Sequence, residues 1–369
     1  MVMYNANNER VKRQYFVYLK EAKRHNELTV DAVAKALSRF ESDTKYRDFK
    51  AFHTEQAIAF KKHLAEQRGH TSGEKLSKAT LYATLAHLKR FFYWLAGQPG
   101  YKSRLKYSDA EYFNLSDKEA RVATARRERP FPTMEQVRHI IGRMPAGSEI
   151  ERRNRALVAF TLLTGARDTA IASMKLKHID LVAGCIHQDA REVKTKFSKT
   201  FTTYFFPIGD EIRGIVADWV NFLRHEKLLG NDDPLFPATQ VNLGANRRFA
   251  ATGLSRKHWS RAAPIRAIFR DACKASGMPY FNPHSIRKTL VSLGETLCKT
   301  PEQFKAWSQN LGHEGVLTTF YSYGSVGSGR QCEIMRDLAK PQNATKSVAA
   351  EIARAVVREL HSASSGLEN

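Results

Sequence analysis

Apolar residues recur at helical spacing through the first hundred positions. Val11 to Arg24 is a charged amphipathic run, and Asp31 to Phe40 turns Val33, Ala34 and Leu37 to one side. Thr54 starts a further helix with Ala57, Ile58, Phe60 and Leu64 inward. The turn-rich stretch RGHTSGEKL interrupts the pattern. Ser77 then stands where it can cap a helix whose Leu81, Leu85, Leu88, Phe92 and Leu95 keep one face apolar. Lys78, His87, Lys89 and Arg90 occupy its other faces. GQPG at 97–100 closes this helical unit.

Periodicity weakens over 101–129, where ARVATARRERP concentrates Arg121, Arg126, Arg127 and Arg129. That stretch reads as a basic linker, either solvated or crossing a phosphate backbone. Helical structure restarts at Pro130, with Thr133 and Gln136 spaced as a capping box. Arg155 to Thr164 is apolar enough (ALVAFTLLT) to be buried, and Gly165 ends it. Arg167 therefore emerges beside a core, where a guanidinium is costly without an anionic partner. From Cys185 to Ile208, REVKTK and TFTTYFFPI predict two strands around FSKT, a β-hairpin with Lys194, Lys196 and Lys199 at its tip. Glu211 to Leu228 and Pro264 to Ser276 read as helices, and 231–263 as loop with short helices. Ser347 to Leu360 carries a narrow apolar stripe, and HSASSGLEN reads as a frayed end.

The expected fold is thus mainly α with a small β-hairpin or sheet, in two domains. A helical unit spans 1–110, a basic linker 111–129 and a second, mostly helical domain 130–335. A C-terminal helix and tail occupy 336–369 and offer a contact between protomers.

Charge narrows the function most. Lys and Arg number 59 against 37 Asp and Glu, a net +22 spread through both halves of a 369-residue chain. A surplus of that size sits on the surface and attracts a polyanion, so double-stranded DNA is the expected partner. The four cysteines are too few and scattered for a disulfide framework or zinc spacing. No segment has the roughly 20 apolar residues of a membrane span, and the N-terminus lacks a signal-peptide core. A cytoplasmic, nucleoid-associated protein without membrane partners is expected.

The chemistry gathers in NPHSIRKTLVSLGETLCKTPEQFKAWSQNLGHEGVLTTFYSYG, Asn282 to Gly324. His284 and Arg287 are three apart and share a helix face. A guanidinium offers a planar fork to phosphate oxygens, and an imidazole offers a hydrogen bond or a proton. With Arg167, two guanidiniums would clamp a phosphate in a pentavalent transition state. A lysine of the hairpin tip suits a general acid for the leaving oxygen. His313 suits a phosphate oxygen or the nucleophile. Tyr321 or Tyr323 supplies a hydroxyl able to attack phosphorus and conserve the bond energy in a phosphotyrosine. No Asp/Glu cluster with metal spacing accompanies them, so neither metal nor cofactor is expected.

The ordered set (TLLTGAR, a lysine-tipped hairpin, PHSIRKT, then LGHEGVLTTFYSY) resembles the tyrosine recombinase or phage integrase family over roughly 130–330. The resemblance implies a site-specific recombinase that breaks and rejoins DNA through a 3′-phosphotyrosine and a Holliday junction, in a synaptic tetramer. It implies that Arg167 and Arg287 clamp the phosphate, Lys196 protonates the leaving 5′ oxygen, His284 and His313 assist, and Tyr323 is the nucleophile. Lys199 and Lys194 stand behind Lys196, and Tyr321 behind Tyr323. The chain departs from the family pattern at Ala170, where an acid is common, at Lys288, where histidine is common, and at Ser322, nine after His313, where the tyrosine often stands. The rival readings are a type IB topoisomerase-like relaxing enzyme and a DNA-binding regulator that keeps the fold without cleavage.

Overall fold

A computed structural model describes residues 4–69, 73–125, 130–243 and 248–313. Tyr321, Tyr323, the stretch 347–360 and the arginines at 126, 127 and 129 lie outside the described residues. The chain divides into two units, Met1–Arg127 and Glu128–Asn369.

The first unit is built from helices α1 (Ala6–Val17), α2 (Glu27–Asp43), α3 (Thr54–Glu66), α4 (Lys78–Ala96) and α5 (Asp117–Thr124). Local capping explains most of their starts. The Asn5 and Asn26 side chains accept backbone N–H groups of α1 and α2, and Ser77 Oγ accepts from Thr80 at the head of α4. Their apolar faces meet in an aromatic core of Phe40, Phe49, Phe52, Phe60, Phe91, Phe92 and Phe113. Ring pairs such as Phe40–Phe60 and Phe40–Phe92 meet edge to face, at 5.2 and 5.4 Å between centroids. A 3₁₀ segment, Tyr107–Phe113, runs into the stretch read as a linker (111–129), and α5 lies within that stretch. Both pack on α4, the first burying Ala110 and Phe113 and the second Ala123.

In the second unit, α6 (Met134–Arg143), α7 (Glu149–Thr164), α9 (Asp210–Asn221), α10 (Ala263–Ala275), α11 (Pro283–Leu297) and α12 (Pro301–Asn310) enclose one core; the single-turn α8 (Asp168–Ile171) follows α7. Helix α7 is its axis, with every residue from Ala156 to Thr164 buried. The expected capping box at Thr133 and Gln136 is present.

A small antiparallel sheet runs β1 (Ile179–Asp180), β2 (Cys185–Gln188), β3 (Phe201–Tyr204). The fold class, mainly α with small sheets, agrees with expectation. The hairpin's first strand does not. It is CIHQ, whose Cys185, Ile186 and Gln188 are buried, and β2 pairs with β3 from Cys185↔Tyr204 to Gln188↔Phe201. REVKTK is too charged to lie on a packed sheet face, and only its Val193 is buried. The lysines therefore ride a long loop, 189–200, rather than a tight tip. A second correction falls within 231–263, where β4 (Thr239–Leu243) and β5 (Phe249–Leu254) pair antiparallel. Their side chains are mostly exposed, so no apolar alternation marks them.

Candidate active site

Four local structures deliver the side chains singled out above. The first is the end of α7. Gly165 takes φ +60°, a left-handed cap that suits glycine. The chain then turns sharply, and Arg167 emerges half-buried at the head of α8. Burial holds its pKa below the usual arginine value. No acidic side chain among the described residues pairs with it; the neighbouring carboxylate, Asp168, accepts from Arg266 Nε at 2.7 Å instead.

The second is the first turn of α11. Asn282 Oδ1 accepts the Ser285 N–H at 3.1 Å, and Pro283 opens the helix. His284 is thereby turned outward, while Arg287, one turn on, points into the protein and is 5 % exposed. Arg287 Nη1 donates to the Gly165 carbonyl at 2.5 Å. Its Nη2 donates to the Leu311 carbonyl at 2.5 Å and to His313 Nε2 at 3.0 Å. A buried cation held by carbonyl dipoles, with no carboxylate of the described residues bound to it, is an expensive arrangement. Burial first, then Arg167, push its pKa down to about 9, so it remains cationic at neutral pH.

The third is the end of α12. Gly312 has φ +69°, and the His313 N–H bonds back to the Ser308 carbonyl at 3.2 Å. Asn310 clips this turn to the sheet, accepting the Tyr204 N–H at 2.7 Å and donating to the Tyr204 carbonyl at 2.9 Å. His313 is depressed to about 4, by burial first and then by Arg287 and Arg167. His284 is also lowered. The cavity wall around it is the first cause, the two arginines come next, and Asp168 opposes them. Both imidazoles are therefore neutral at pH 7.

The fourth is the 189–200 loop. Lys196 opens a 3₁₀ turn in which Phe197 and Ser198 take φ +61° and +51°. The positive charge of Lys196 acts on both His284 and His313, whereas that of Lys194 is felt at His258. Its ammonium also stands 4.6 Å from the Phe197 ring centroid. The loop is moored by Glu192, whose carboxylate takes Lys175, Lys177 and the buried His178 at 3.1, 2.8 and 2.9 Å.

Arg167, His284, Lys288, Asp168 and Arg266 line one cavity of about 370 Å³. Arg287 and His313 share their hydrogen bond at the Gly165–Leu311 turn pair. The structure thus places Arg167, His284, Arg287 and His313 around one another, with Lys196 in electrostatic reach; Tyr323 lies outside the described residues. Sequence reasoning missed Arg266 and Glu192, which carry no motif and meet their partners only through the fold. Among the described residues no group of three or more His, Cys, Asp or Glu is placed to hold a metal ion.

The sequence profile of the phage integrase family matches residues 131–326, which include every one of these groups. The chain belongs to the phage integrase family. It is a tyrosine recombinase, an enzyme that breaks and rejoins DNA in site-specific recombination. Tyrosine recombinase XerC of Lactobacillus delbrueckii subsp. bulgaricus is 23 % identical over 259 residues, 69 % of this chain and 75 % of that protein. The fold is similar to lambda integrase in a dimer bound to a COC′ core site, with TM-score 0.57 and 14 % identity over 87 % of this chain and 96 % of that one. It is also similar to the XerH site-specific recombinase bound to difH, with TM-score 0.53 and 17 % identity over 88 % and 83 %. In this recombinase no helix among the described residues is long and apolar enough to cross a membrane.

Proposed function

We propose that Arg167 and Arg287 bind the scissile phosphate of a DNA strand, and that Lys196, His284 and His313 serve its cleavage by Tyr323. The supporting observation is that two guanidiniums lie in one site, the charge of Arg167 close enough to lower the proton affinity of Arg287, with no carboxylate of the described residues bound to either. A phosphodiester supplies the missing anion, and the extra charge of its pentavalent transition state is held more tightly still.

The step balances without an external energy source. The Tyr323 hydroxyl oxygen attacks phosphorus, the bond to the 5′ oxygen breaks, and a 3′-phosphotyrosine forms. Lys196 gives its proton to the departing 5′ oxygen. A neutral imidazole, His284 or His313, takes the proton of the tyrosine. Attack by a 5′ hydroxyl of another strand reverses the step and, on paired duplexes, passes through a Holliday junction. This chemistry suits a tetramer on two DNA sites, in the cytoplasm and on the nucleoid. Lambda integrase, in a tetramer bound to a Holliday junction, shares the fold at TM-score 0.54 and 14 % identity.

The test is a nicked suicide duplex carrying the site recovered by selection from a random library. The native chain should form an adduct that survives denaturation, Tyr323→Phe should abolish it, and Tyr321→Phe should retain it. An adduct that persists in Tyr323→Phe overturns the choice of nucleophile. Failure of the native chain to form one overturns the cleavage reading and favours a regulator.

A further inference from the structure

Arg266 is a second guanidinium in the Arg167 cavity, brought there by α10 rather than by any motif. Its Nε donates to Asp168 Oδ2 at 2.7 Å, across 98 positions of sequence. Asp168 Oδ1 accepts the Thr169 N–H at 2.8 Å, so the carboxylate is committed on both oxygens. The bond uses only the Nε edge of Arg266, and no hydrogen bond of its two Nη groups is formed within the described residues. The side chain is 54 % exposed and lines the cavity. Among the described residues lining this space, Arg167 and Arg266 share one carboxylate, that of Asp168, beside the outward-turned His284.

A surface ion pair would leave Arg266 with a partner and nothing further to do. Its position argues otherwise. A single-point bond to Asp168 fixes the direction of the guanidinium while leaving its Nη edge open to a tetrahedral anion. Asp168 also stands two positions before the buried Ala170, so this chain keeps a carboxylate near Arg167 but spends it on orienting a second arginine.

We propose that Arg266 is a further phosphate-contacting residue of the strand-cleavage reaction, and that Asp168 is the positioning residue that aims it at the phosphate held by Arg167. The inference rests on the cleavage reading above and adds to it a third guanidinium and its support.

The full chain is tested on the suicide duplex, at protein concentrations that saturate the site. Arg266→Gln should slow adduct formation about 10- to 100-fold, with site affinity in a gel shift changed less than about 3-fold, since one phosphate contact among many is lost. Arg266→Lys should recover part of the rate, and Asp168→Asn should fall between native and Arg266→Gln. The decisive comparison replaces the scissile phosphate by a neutral methylphosphonate. An arginine that acts on the phosphate charge then has nothing to neutralise, and the ratio of native to Arg266→Gln rates should collapse towards one.

A ratio that stays the same on the neutral linkage, or Arg266→Gln cleaving the natural phosphate at the native rate, overturns the proposal. So does a collapse seen only when a neighbouring phosphate is neutralised. Arg167→Gln keeps the two readings apart. Cleavage lost with Arg167→Gln but unchanged by Arg266→Gln sinks this inference alone. Cleavage unaffected by Arg167→Gln sinks the assignment of the site itself.

Discussion

Arg287 Nη2 donates to His313 Nε2 at 3.0 Å. A guanidinium has no lone pair to offer, so Nε2 must be the acceptor and the ring must be neutral, with its proton on Nδ1. The same arginine holds the carbonyls of Gly165 and Leu311. One buried cation thus locks the α7 turn, the α12 turn and the second histidine together, and a charge that looks unfavourable for stability becomes the joint of the site. Arg287→Lys should therefore lose far more than a charge-conserving change suggests. An ammonium cannot span two carbonyls and an imidazole in one plane. The expected outcome is a cleavage rate lowered by about 100-fold or more, together with a lower urea midpoint, measured by adduct formation and circular dichroism.

The depressed histidines set the acid limb of stability. His313 lies near 4 in the folded protein against 6.5 ordinarily, and His284 is lowered in the same direction. Between those values the unfolded chain binds a proton that the folded one refuses. Stability therefore falls as pH drops from about 6.5 towards 4 and then levels off as far as this group is concerned. Glu192, lowered from 4.5 to about 2, acts below that window. His313→Gln should flatten the fall in urea midpoint between pH 6.5 and 5. The corresponding difference in unfolding free energy should be about 1 kcal/mol once screening at a partly exposed ring is allowed for. An unchanged pH slope would contradict the depressed imidazole.

Two glycines hold the turns that Arg287 joins. Gly312, at φ +69°, has the Phe201 ring 2.7 Å from where a Cβ would stand. Gly165, at φ +60°, would set a Cβ 3.0 Å from both Leu290 and Leu311. Gly312→Ala should cost about 1–2 kcal/mol from backbone strain, more if Phe201 resists, and should displace His313. The cleavage rate should fall more than DNA affinity. Equal losses of both would show that the substitution only unfolds the unit.

Much of this architecture is legible in the chain because it is written locally. The caps at Ser77, Thr133 and Asn282 and the glycine after ALVAFTLLT mark helix ends by the hydrogen bonds those residues make with their own neighbours. The pairing of His284 with Arg287 comes from helical spacing, yet the two sides of that turn differ. The histidine opens to solvent and the arginine is buried, a distinction set by packing against Gly165 and Leu311 from distant parts of the chain. The lysine hairpin departs from expectation because REVKTK has β-branched residues without a buried face. Its loop is held by Glu192 on Lys175, Lys177 and His178, contacts that span up to 17 positions and obey no periodicity. Arg266 is invisible in the sequence for the same reason at longer range.

Lys196 is distinguishable from its neighbours by chemistry. If it protonates the leaving 5′ oxygen, Lys196→Ala should slow cleavage of a natural duplex by about 100- to 1000-fold. Replacing that bridging oxygen by sulfur makes a leaving group that departs without a proton, and the same variant should then cleave within about 10-fold of native. Lys194→Ala and Lys199→Ala should show no such selective rescue. Rescue of Lys199→Ala in place of Lys196→Ala would move the assignment three positions along the loop.

The mooring of that loop governs where Lys196 stands. Glu192 draws three cationic or hydrogen-bonding partners onto one carboxylate, and His178 is fixed for the task because its Nδ1 already accepts the Lys175 N–H at 3.0 Å, leaving Nε2 to donate to Glu192 Oε2. Val193 is buried next to it, and the Lys194 N–H bonds to Ser173 Oγ at 2.9 Å. The chain is thus pinned just before Lys196, and the left-handed Phe197 and Ser198 turn it back towards β3. Glu192→Gln keeps the shape but removes the charge that gathers the lysines. DNA binding should persist, since the change makes the surface more positive. The cleavage rate should fall about 3- to 10-fold as the loop samples orientations that carry Lys196 away from the leaving group. The bridging-sulfur duplex decides whether the loop is the cause. A loss that acts through Lys196 disappears on that substrate, and a loss that acts through the rest of the unit does not.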